Sequence, residues 1–142
     1  MADWDPGSFT RDLMAEMRAH GGVPSQGPFA GRRLLILTTT GARSGEPRTA
    51  VLAYRLRGEK LIVAGSKGGA PTHPGWFHNL RANPVATVEV NNEVVQVRAK
   101  IEAEGTERNR LWAEHVAEMP GFGEYPAKTD RIIPMVILTR IS

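Results

Sequence analysis

Short apolar runs bounded by turn-forming residues recur along this chain and predict a protein built mainly from β-strands. Runs rich in β-branched residues between such punctuators are typical of strands. Most of these runs follow one another through short links, which favours an antiparallel barrel or sandwich over a sheet of alternating strands and helices. About six strands are predicted: residues 33–39, 49–56, 60–66, 85–90, 94–103 and 131–141.

Two longer segments carry apolar residues at helical spacing. Ser8 can cap a helix that runs to about Ala19, and Thr106 can cap one that reaches about Glu118. These segments add helical content to the strands, so the predicted fold class is mainly β with some α (α+β).

A third, shorter helix is expected between these two. Pro74 suits its first turn, and Asn83-Pro84 stops it. Residues 119–130 contain two aromatic residues and are predicted to form a loop. Pro134 predicts an edge or a bulge in the last strand, because proline has no N–H to donate to a ladder.

Length and composition indicate a single domain, residues 1–142, since 41% apolar residues suffice for a core. Residues 1–31 are interpreted as a helix and loop that either pack on the barrel or cover a substrate as a lid. The first residues lack the apolar core of a signal peptide, and no apolar run could span a bilayer. We therefore expect a cytoplasmic protein, with at most weak peripheral contact at the inner face of the cell membrane because acids near the N-terminus repel anionic lipid.

The basic residues are concentrated in one region, although the net charge is only +3. Residues 31–60 hold seven Lys or Arg side chains against two acids, whereas residues 101–142 hold five against seven. This placement favours an anionic ligand near the first region over a generally basic surface. Nucleic acid is not the expected ligand, because only Tyr54 among nine aromatic residues falls in a predicted strand.

Two glycine-containing loops, each after a predicted strand, are candidates to hold the anion. The stretch "TTTGARSGEPRTA" carries Arg43 and Arg48, whose guanidinium groups can bind phosphate or carboxylate through two hydrogen bonds. The stretch "AGSKGGA" carries Ser66 and Lys67 beside accessible backbone N–H groups. Neither matches a Walker or a G-x-G-x-x-G pattern, and a loop of this composition, taken alone, is most often only a solvated turn. Together they indicate a shared site.

The chain shows no evident catalytic set of its own. It has no cysteine, and its four histidines do not have the spacing of metal ligands, so no metal is expected. Trp76 and Phe77, in the short helix, either anchor that helix in the core or flank a planar heterocycle. A protein of this kind takes its chemistry from a cofactor. The four histidines are His20, His73, His78 and His115.

Three blocks of the sequence resemble the deazaflavin-dependent nitroreductase family, which uses coenzyme F420. They are "LTTTGARSGEPR", "VAGSKGGAPTHPGWFHNLRANP" and "KTDRIIPMVILTR", in the family's order and at its distances. The similarity runs from about Arg32 to the C-terminus. It implies an antiparallel split β-barrel of about six strands, with an N-terminal helix and two inserted helices.

The resemblance also implies the residues that bind the coenzyme. The arginines of the first loop would face its phosphate and oligoglutamate tail, and the second loop would lie near its ring and phosphodiester. The implied coenzyme-binding residues are Ala42, Arg43, Ser44, Arg48, Thr49, Ala50, Val51, Leu52, Ala53, Ala64, Gly65, Ser66, Lys67, Gly68, Gly69, Gly75, Trp76, Phe77, His78 and Asn79.

The implied reaction transfers a hydride from the reduced coenzyme to a small-molecule acceptor such as a quinone, an enone or lactone, or a nitroaromatic compound. Ser66 and Tyr125 are implied as catalytic residues, and Phe122 and Tyr125 as acceptor-binding residues. Phe122 stands where the characterised nitroreductase has a functional tyrosine, and it cannot donate a hydrogen bond. We therefore expect quinones or enones rather than nitroimidazoles.

Two alternatives stay open at this point. One is an FMN-dependent reductase on the same barrel, and the other is a non-enzymatic deazaflavin-binding protein. The sequence is compatible with a monomer or a homodimer, and it does not identify the proton donor.

Overall fold

The structure is a computed structural model that describes residues 7–25, 31–69, 72–127, 129 and 131–141. The remainder of the predicted N-terminal segment, residues 1–6 and 26–30, lies outside the described residues. No described helix is long and apolar enough to cross a membrane. The described elements, with η for a 3-10 helix, are α1 (Ser8–Ala19), β1 (Leu34–Thr40), β2 (Pro47–Ala53), β3 (Arg55–Arg57), β4 (Lys60–Ala64), η1 (Lys67–Gly69), α2 (Gly75–Ala82), β5 (Val85–Val90), β6 (Glu93–Glu102), α3 (Thr106–Glu118), η2 (Pro120–Ala127) and β7 (Met135–Arg140).

The strands form one antiparallel sheet in the order β2-β1-β5-β6-β7-β4-β3. The two strands at the ends of this order, β2 and β3, are separated in the chain only by Tyr54. The sheet therefore curls until its ends meet in one bent segment, as an antiparallel barrel requires. The single strand predicted at 49–56 is divided at Tyr54, which is why the described sheet has seven strands rather than six.

The bend at Tyr54 also leaves a gap in the barrel wall. Along β2 the chain pairs with β1, where Leu34 is opposite Ala53; after the bend, β3 pairs with β4, where Arg55 is opposite Ile62. The side of β2 that is directed towards β4 has no strand partner among the described residues. Backbone N–H and C=O groups of alternate β2 residues point into this gap.

Apolar side chains fill the barrel and also cover parts of its outer face. Inside, Trp76, Phe77 and Leu80 of α2 pack with the inward residues of the strands. Outside, Met14 and Met17 of α1 lie against β1 and β2, while α3 and η2 lie against β4 and β7. The helices α1 and η2 thus stand on opposite sides of the gap between β2 and β4.

The helices occupy the predicted segments, but their first residues differ in role from the prediction. Ser8 and Thr106 are the first helical residues rather than caps. The preceding glycines, Gly7 and Gly105, are the N-caps, with φ of 94° and 99° and no side-chain cap. Glycine takes such angles without the steric cost that serine or threonine would meet, so the cap falls one residue earlier.

Two other predictions are corrected in the second half of the chain. The predicted loop at 119–130 contains η2, because Phe122 and Tyr125, three residues apart, share one face of a 3-10 helix and pack on the outer core. Pro134 does not lie within β7 but immediately before it, and its carbonyl accepts the Gly65 N–H at 2.9 Å. Since β7 lies between β6 and β4, a proline inside it would break a ladder.

Candidate functional site

A cleft of about 740 Å³ opens where the loop between β1 and β2 meets the start of α2. We call it the arginine cleft. All of its lining residues except Gly41 are among those that the resemblance implies. The lining residues are Gly41, Ala42, Arg43, Ser44, Arg48, Thr49, Ala50, Gly75, Trp76, His78 and Asn79.

The loop between β1 and β2 is a tight turn held by its own hydrogen bonds. The N–H of Gly41 donates to the carbonyl of Glu46 at 2.8 Å, and the Ser44 Oγ accepts hydrogen bonds from the Glu46 N–H and the Arg48 guanidinium, each at 3.1 Å. A Cβ at Gly41 would lie 2.5 Å from the Ser44 Oγ, so a larger residue there would displace this hydroxyl from its hydrogen bonds. The loop is therefore a hairpin turn that also positions the guanidinium of Arg48.

Asn79 of α2 ties this loop to the helix. Its Oδ1 accepts the Ala42 N–H at 2.9 Å, and its Nδ2 donates to the Thr39 Oγ1 at 3.0 Å. One end of the amide thus joins α2 to the loop, and the other joins α2 to β1. Asn79 therefore acts on the cleft as a positioning residue.

The donors of the arginine cleft suit an anion. Arg43 has no hydrogen-bond or ion-pair partner in the part of the chain that the structure describes, and the first turn of α2 contributes N–H groups at the positive end of the helix dipole. A Cβ at Gly75 would meet no atom within 4 Å, so the backbone is open to a ligand at this point. No Asp or Glu lies among the residues that line the cleft.

A second cleft, of about 400 Å³, lies over the gap between β2 and β4. We call it the aromatic cleft. The sequence analysis did not single out Arg32, Leu34 or Pro74 for this site, and it included Leu13 only within the N-terminal segment that either packs on the barrel or covers a substrate. The lining residues are Leu13, Arg32, Leu34, Val51, Leu52, Ala53, Ala64, Ser66, Lys67, Pro74, Trp76, Phe122 and Tyr125.

The two clefts are adjacent, and we call them together the groove. Trp76, of which only 8% is exposed, lines both of them. Residues 48–50 of β2 line the arginine cleft, and residues 51–53 line the aromatic cleft. The unpaired side of β2 therefore runs from one cleft to the other.

The loop after β4 is held from behind by Arg131, which sequence reasoning did not assign to the site. Its guanidinium donates to the carbonyl of Gly65 at 3.0 Å and to that of Ser66 at 2.7 Å. A third contact, at 3.0 Å, joins it to the Nδ1 of His73. Burial, together with the positive charge of Arg131, lowers the pKa of His73, which keeps the ring neutral so that Nδ1 can accept. Arg131 belongs to the third block of the resemblance, and this was the only indication in the sequence that it could be near the site.

Lys67 adopts a backbone conformation that is uncommon for a residue with a side chain. Its φ is 47°, and its Nζ donates to the Thr72 Oγ1 at 3.2 Å. Left-handed conformations outside glycine cost energy and occur often at functional sites. Lys67 directly follows Ser66 in the chain, and both residues line the aromatic cleft.

Some implied residues lie outside both clefts. Phe77, only 2% exposed, packs in the inner core, whereas its neighbour Trp76 lines the groove. A Cβ at Gly65 would lie 2.9 Å from the Pro134 ring, so Gly65 permits close packing there. Gly68 and Gly69 belong to η1. Within the described ranges, no group of three or more acidic, histidine or cysteine side chains could hold a metal ion.

Aromatic rings form the wall of the aromatic cleft nearest η2. The ring of Phe122 meets that of Tyr125 edge-on at 5.4 Å between centroids and that of His115 at 4.6 Å. His115 is fully buried, and neither of its ring nitrogens has a hydrogen-bond partner in the described structure. Burial lowers the pKa of His115 to about 4, with the charge of Arg55 as the smaller cause.

Comparison with known proteins identifies the family. The model of the F420H(2)-dependent quinone reductase family matches residues 9–140. The chain belongs to this family. An F420H(2)-dependent quinone reductase of Mycobacterium tuberculosis is 40% identical over 110 residues, 75% of this chain and 72% of the relative. Among solved structures, an F420-H2 dependent reductase, FDR-A, is 39% identical with a TM-score of 0.67, covering 75% of this chain and 94% of that one. A structure described as a domain-swapped dimer is 35% identical with a TM-score of 0.69, covering 90% and 92%.

Several predictions are thereby confirmed. This member of the F420H(2)-dependent quinone reductase family is an oxidoreductase with the split-barrel fold, and its cofactor is reduced coenzyme F420. The donors of the arginine cleft fit a coenzyme with a phosphodiester and a carboxylate-rich tail. Membership of this family also supports the deazaflavin, rather than FMN, as the cofactor.

Proposed function

We propose that this protein reduces a quinone or an enone-type acceptor with F420H2, and that the groove binds the coenzyme along its length. The supporting observation is that two clefts of different character meet at Trp76. The arginine cleft offers cations and backbone N–H groups to the tail, and the aromatic cleft offers a flat apolar space to the ring. A molecule with a planar head and a polyanionic tail matches this order.

Each part of the site has a physical role in this proposal. Arg43 and Arg48 bind phosphate or carboxylate oxygens. Asn79 fixes the loop that carries them, and Arg131 fixes the carbonyls of the loop at Ser66. The bound, reduced coenzyme supplies the hydride, so the chain contributes mainly by orienting two flat molecules and excluding water between them.

The acceptor preference follows from the wall formed by η2. Phe122 offers an apolar surface for a ring, while the Ser66 hydroxyl, the Lys67 ammonium and the Tyr125 hydroxyl are donors for its carbonyl oxygens. A quinone or an enone needs such donors, because negative charge grows on its oxygen as it accepts a hydride. Phe122 has no hydroxyl to offer a nitro group, so nitroimidazoles are expected to be poor acceptors.

Fluorescence titration with F420 tests the binding site. We expect Arg43→Ala and Lys67→Ala to weaken coenzyme binding roughly tenfold each, the effect of losing one hydrogen bond to a charged group. Arg98→Ala is the matched control, because it removes an exposed arginine of β6 that lines neither cleft. Equal affinities for the native protein and Arg43→Ala would refute the site.

Steady-state assays test the acceptor. With F420H2 as donor, the proposal expects faster turnover of menadione and cyclohexenone than of a nitroimidazole. Turnover of the nitroimidazole as fast as that of menadione would refute the preference.

Assembly is a separate proposal. One solved relative is described as a domain-swapped dimer, which supports a homodimer for this chain. Light scattering coupled to size-exclusion chromatography, with and without F420, would distinguish a mass of 15.5 kDa from twice that value.

A further inference from the structure

A separate cavity, of about 420 Å³, lies between α2 and the end of β6. We call it the α2–β6 cavity. None of its lining residues lines the arginine cleft or the aromatic cleft, so a ligand bound there would not displace one bound in the groove. Its volume is in the range of small-molecule sites.

The floor of the α2–β6 cavity is apolar and shallow. Leu80 is buried at its base, and Pro84 and Ile101 are half-buried. The Pro84 carbonyl accepts the Ala99 N–H at 2.8 Å, which fixes this part of the floor against β6. Because Ala99 and Ala103 carry only methyl groups, a flat ring can lie across the floor, and burial of its apolar surface supplies binding free energy.

Arg81 gives the cavity a positive charge. Its guanidinium carbon lies 5.8 Å from the centroid of the Phe77 ring, a cation–π contact that holds the side chain beside the floor. Among the residues that the structure describes, Arg81 has no hydrogen-bond or ion-pair partner, and no Asp or Glu lines the cavity. The guanidinium is therefore available to a carboxylate.

His73 adds a second donor next to Arg81. Its Nδ1 accepts a hydrogen bond from the Arg131 guanidinium at 3.0 Å, so the proton of the neutral ring is on Nε2. The His73 and Phe77 rings lie 4.7 Å apart between centroids, so both donors border the same ring. Within the described part of the chain, Nε2 has no acceptor. A carboxylate on a flat ring would satisfy both donors and cover the floor.

His73 also connects this cavity with the loop after β4. The guanidinium that donates to its Nδ1 also donates to the carbonyls of Gly65 and Ser66, at 3.0 Å and 2.7 Å. A carboxylate that accepts the Nε2 proton would make Nδ1 a stronger acceptor, because hydrogen bonds in a chain polarise one another. The Arg131 guanidinium, and with it the two carbonyls, would be held more firmly.

We propose that the α2–β6 cavity binds a planar aromatic carboxylate, and that the bound carboxylate strengthens the binding of F420 through His73 and Arg131. The binding of the carboxylate is independent of the proposed function. Its effect on F420 rests on the proposed coenzyme site, since Ser66 lines the aromatic cleft.

Naphthoate is the probe for this site, and its neutral amide, naphthamide, is the chemical control. Titration of the native protein with F420 at neutral pH should give a Kd roughly fivefold lower with saturating naphthoate than without it, the lower end of the usual coupling between two sites. Naphthamide should leave the Kd unchanged. Arg81→Gln should remove the effect of naphthoate. Arg98→Gln, which changes an exposed arginine of β6 outside the clefts and the cavity, should keep it.

Calorimetric titration with naphthoate tests its binding directly. Because coupling between two sites is reciprocal, saturating F420 should tighten naphthoate binding by the same factor. Ala103→Leu places a larger side chain over the floor at an exposed position and should weaken naphthoate binding. Ala113→Leu is the matched control, since it adds the same side chain at an exposed position of α3 outside the cavity.

An unchanged Kd for F420, or an effect of naphthoate that persists in Arg81→Gln, would overturn the inference. A raised Kd would also overturn it, because naphthoate would then be competing for the arginine cleft. If the native protein binds naphthoate in a manner that depends on Arg81 but does not bind F420, the proposed coenzyme site is refuted and the carboxylate site is retained.

Discussion

Acid should destabilise this protein through His115, which is fully buried on α3. Neither ring nitrogen has a hydrogen-bond partner among the described residues, and burial followed by the charge of Arg55 lowers the pKa to about 4. Arg55 comes from β3 and pairs with Glu114 at 3.2 Å, while the ring of Phe122 contacts the imidazole from η2. The neutral imidazole is thus the form that the folded protein accommodates.

The sign and the size of the effect follow from this pKa. In the unfolded chain His115 takes up a proton near pH 6.5, whereas in the folded protein it does so only near pH 4. Between these values the unfolded state binds more protons, so the free energy of unfolding falls as the pH falls. The His115 contribution lost between pH 7 and pH 5 is about 2 kcal/mol, and by pH 4 the loss reaches about 3 kcal/mol.

Urea unfolding at pH 7, 6 and 5, with the native protein and His115→Leu, tests this value. Leucine fills similar space without titrating, so the variant should lose about 2 kcal/mol less than the native protein between pH 7 and pH 5. The pKa of His73 is also lowered, but His73 is present in both proteins and its contribution cancels in the difference. Parallel loss of stability in both proteins would show that His115 is not responsible.

Substitutions at three further positions have definite expected outcomes. Arg131→Met removes the donors to the carbonyls of Gly65 and Ser66, and should raise the Kd for F420 roughly tenfold. Arg131→Lys keeps a cationic donor and should restore part of the affinity. Unchanged titration curves for Arg131→Met would refute this role of Arg131. Asn79→Ala removes the hydrogen bonds that join α2 to Ala42 of the loop and to Thr39 of β1, and should lower the free energy of unfolding by about 1–2 kcal/mol. An unchanged urea midpoint would contradict this expectation. Phe122→Tyr adds a hydroxyl to the cleft wall and should raise kcat/KM for a nitroimidazole relative to menadione, whereas a constant ratio would show that this position does not select the acceptor.

Local patterns were sufficient to predict most strands and to select most of the residues that line the arginine cleft. The chain turns at Asn91-Asn92, with φ of 50° and 65°, and at Gly58, in each case between two segments predicted as strands. The glycine and arginine stretch after β1 does line a cleft with the start of α2. These features depend on residues close together in the sequence, so they are visible without the fold.

The remaining features depend on contacts between distant residues. Arg131 meets carbonyls that are 65 and 66 positions away in the chain, and Leu13 of α1 reaches the aromatic cleft only because α1 packs on β1 and β2. The break at Tyr54 likewise arises from closure of the sheet, since its local sequence reads as one continuous strand.

The unpaired side of β2 has a consequence for how this protein can change over time. An unpaired strand edge ordinarily allows another polypeptide to pair with it as an additional strand. Here α1 and η2 flank the row, which restricts the approach of a further strand. Main-chain donors and acceptors are the same whatever side chains β2 carries. In the proposed binding mode, substitutions along this strand therefore change the shape of the cleft above it without removing those groups.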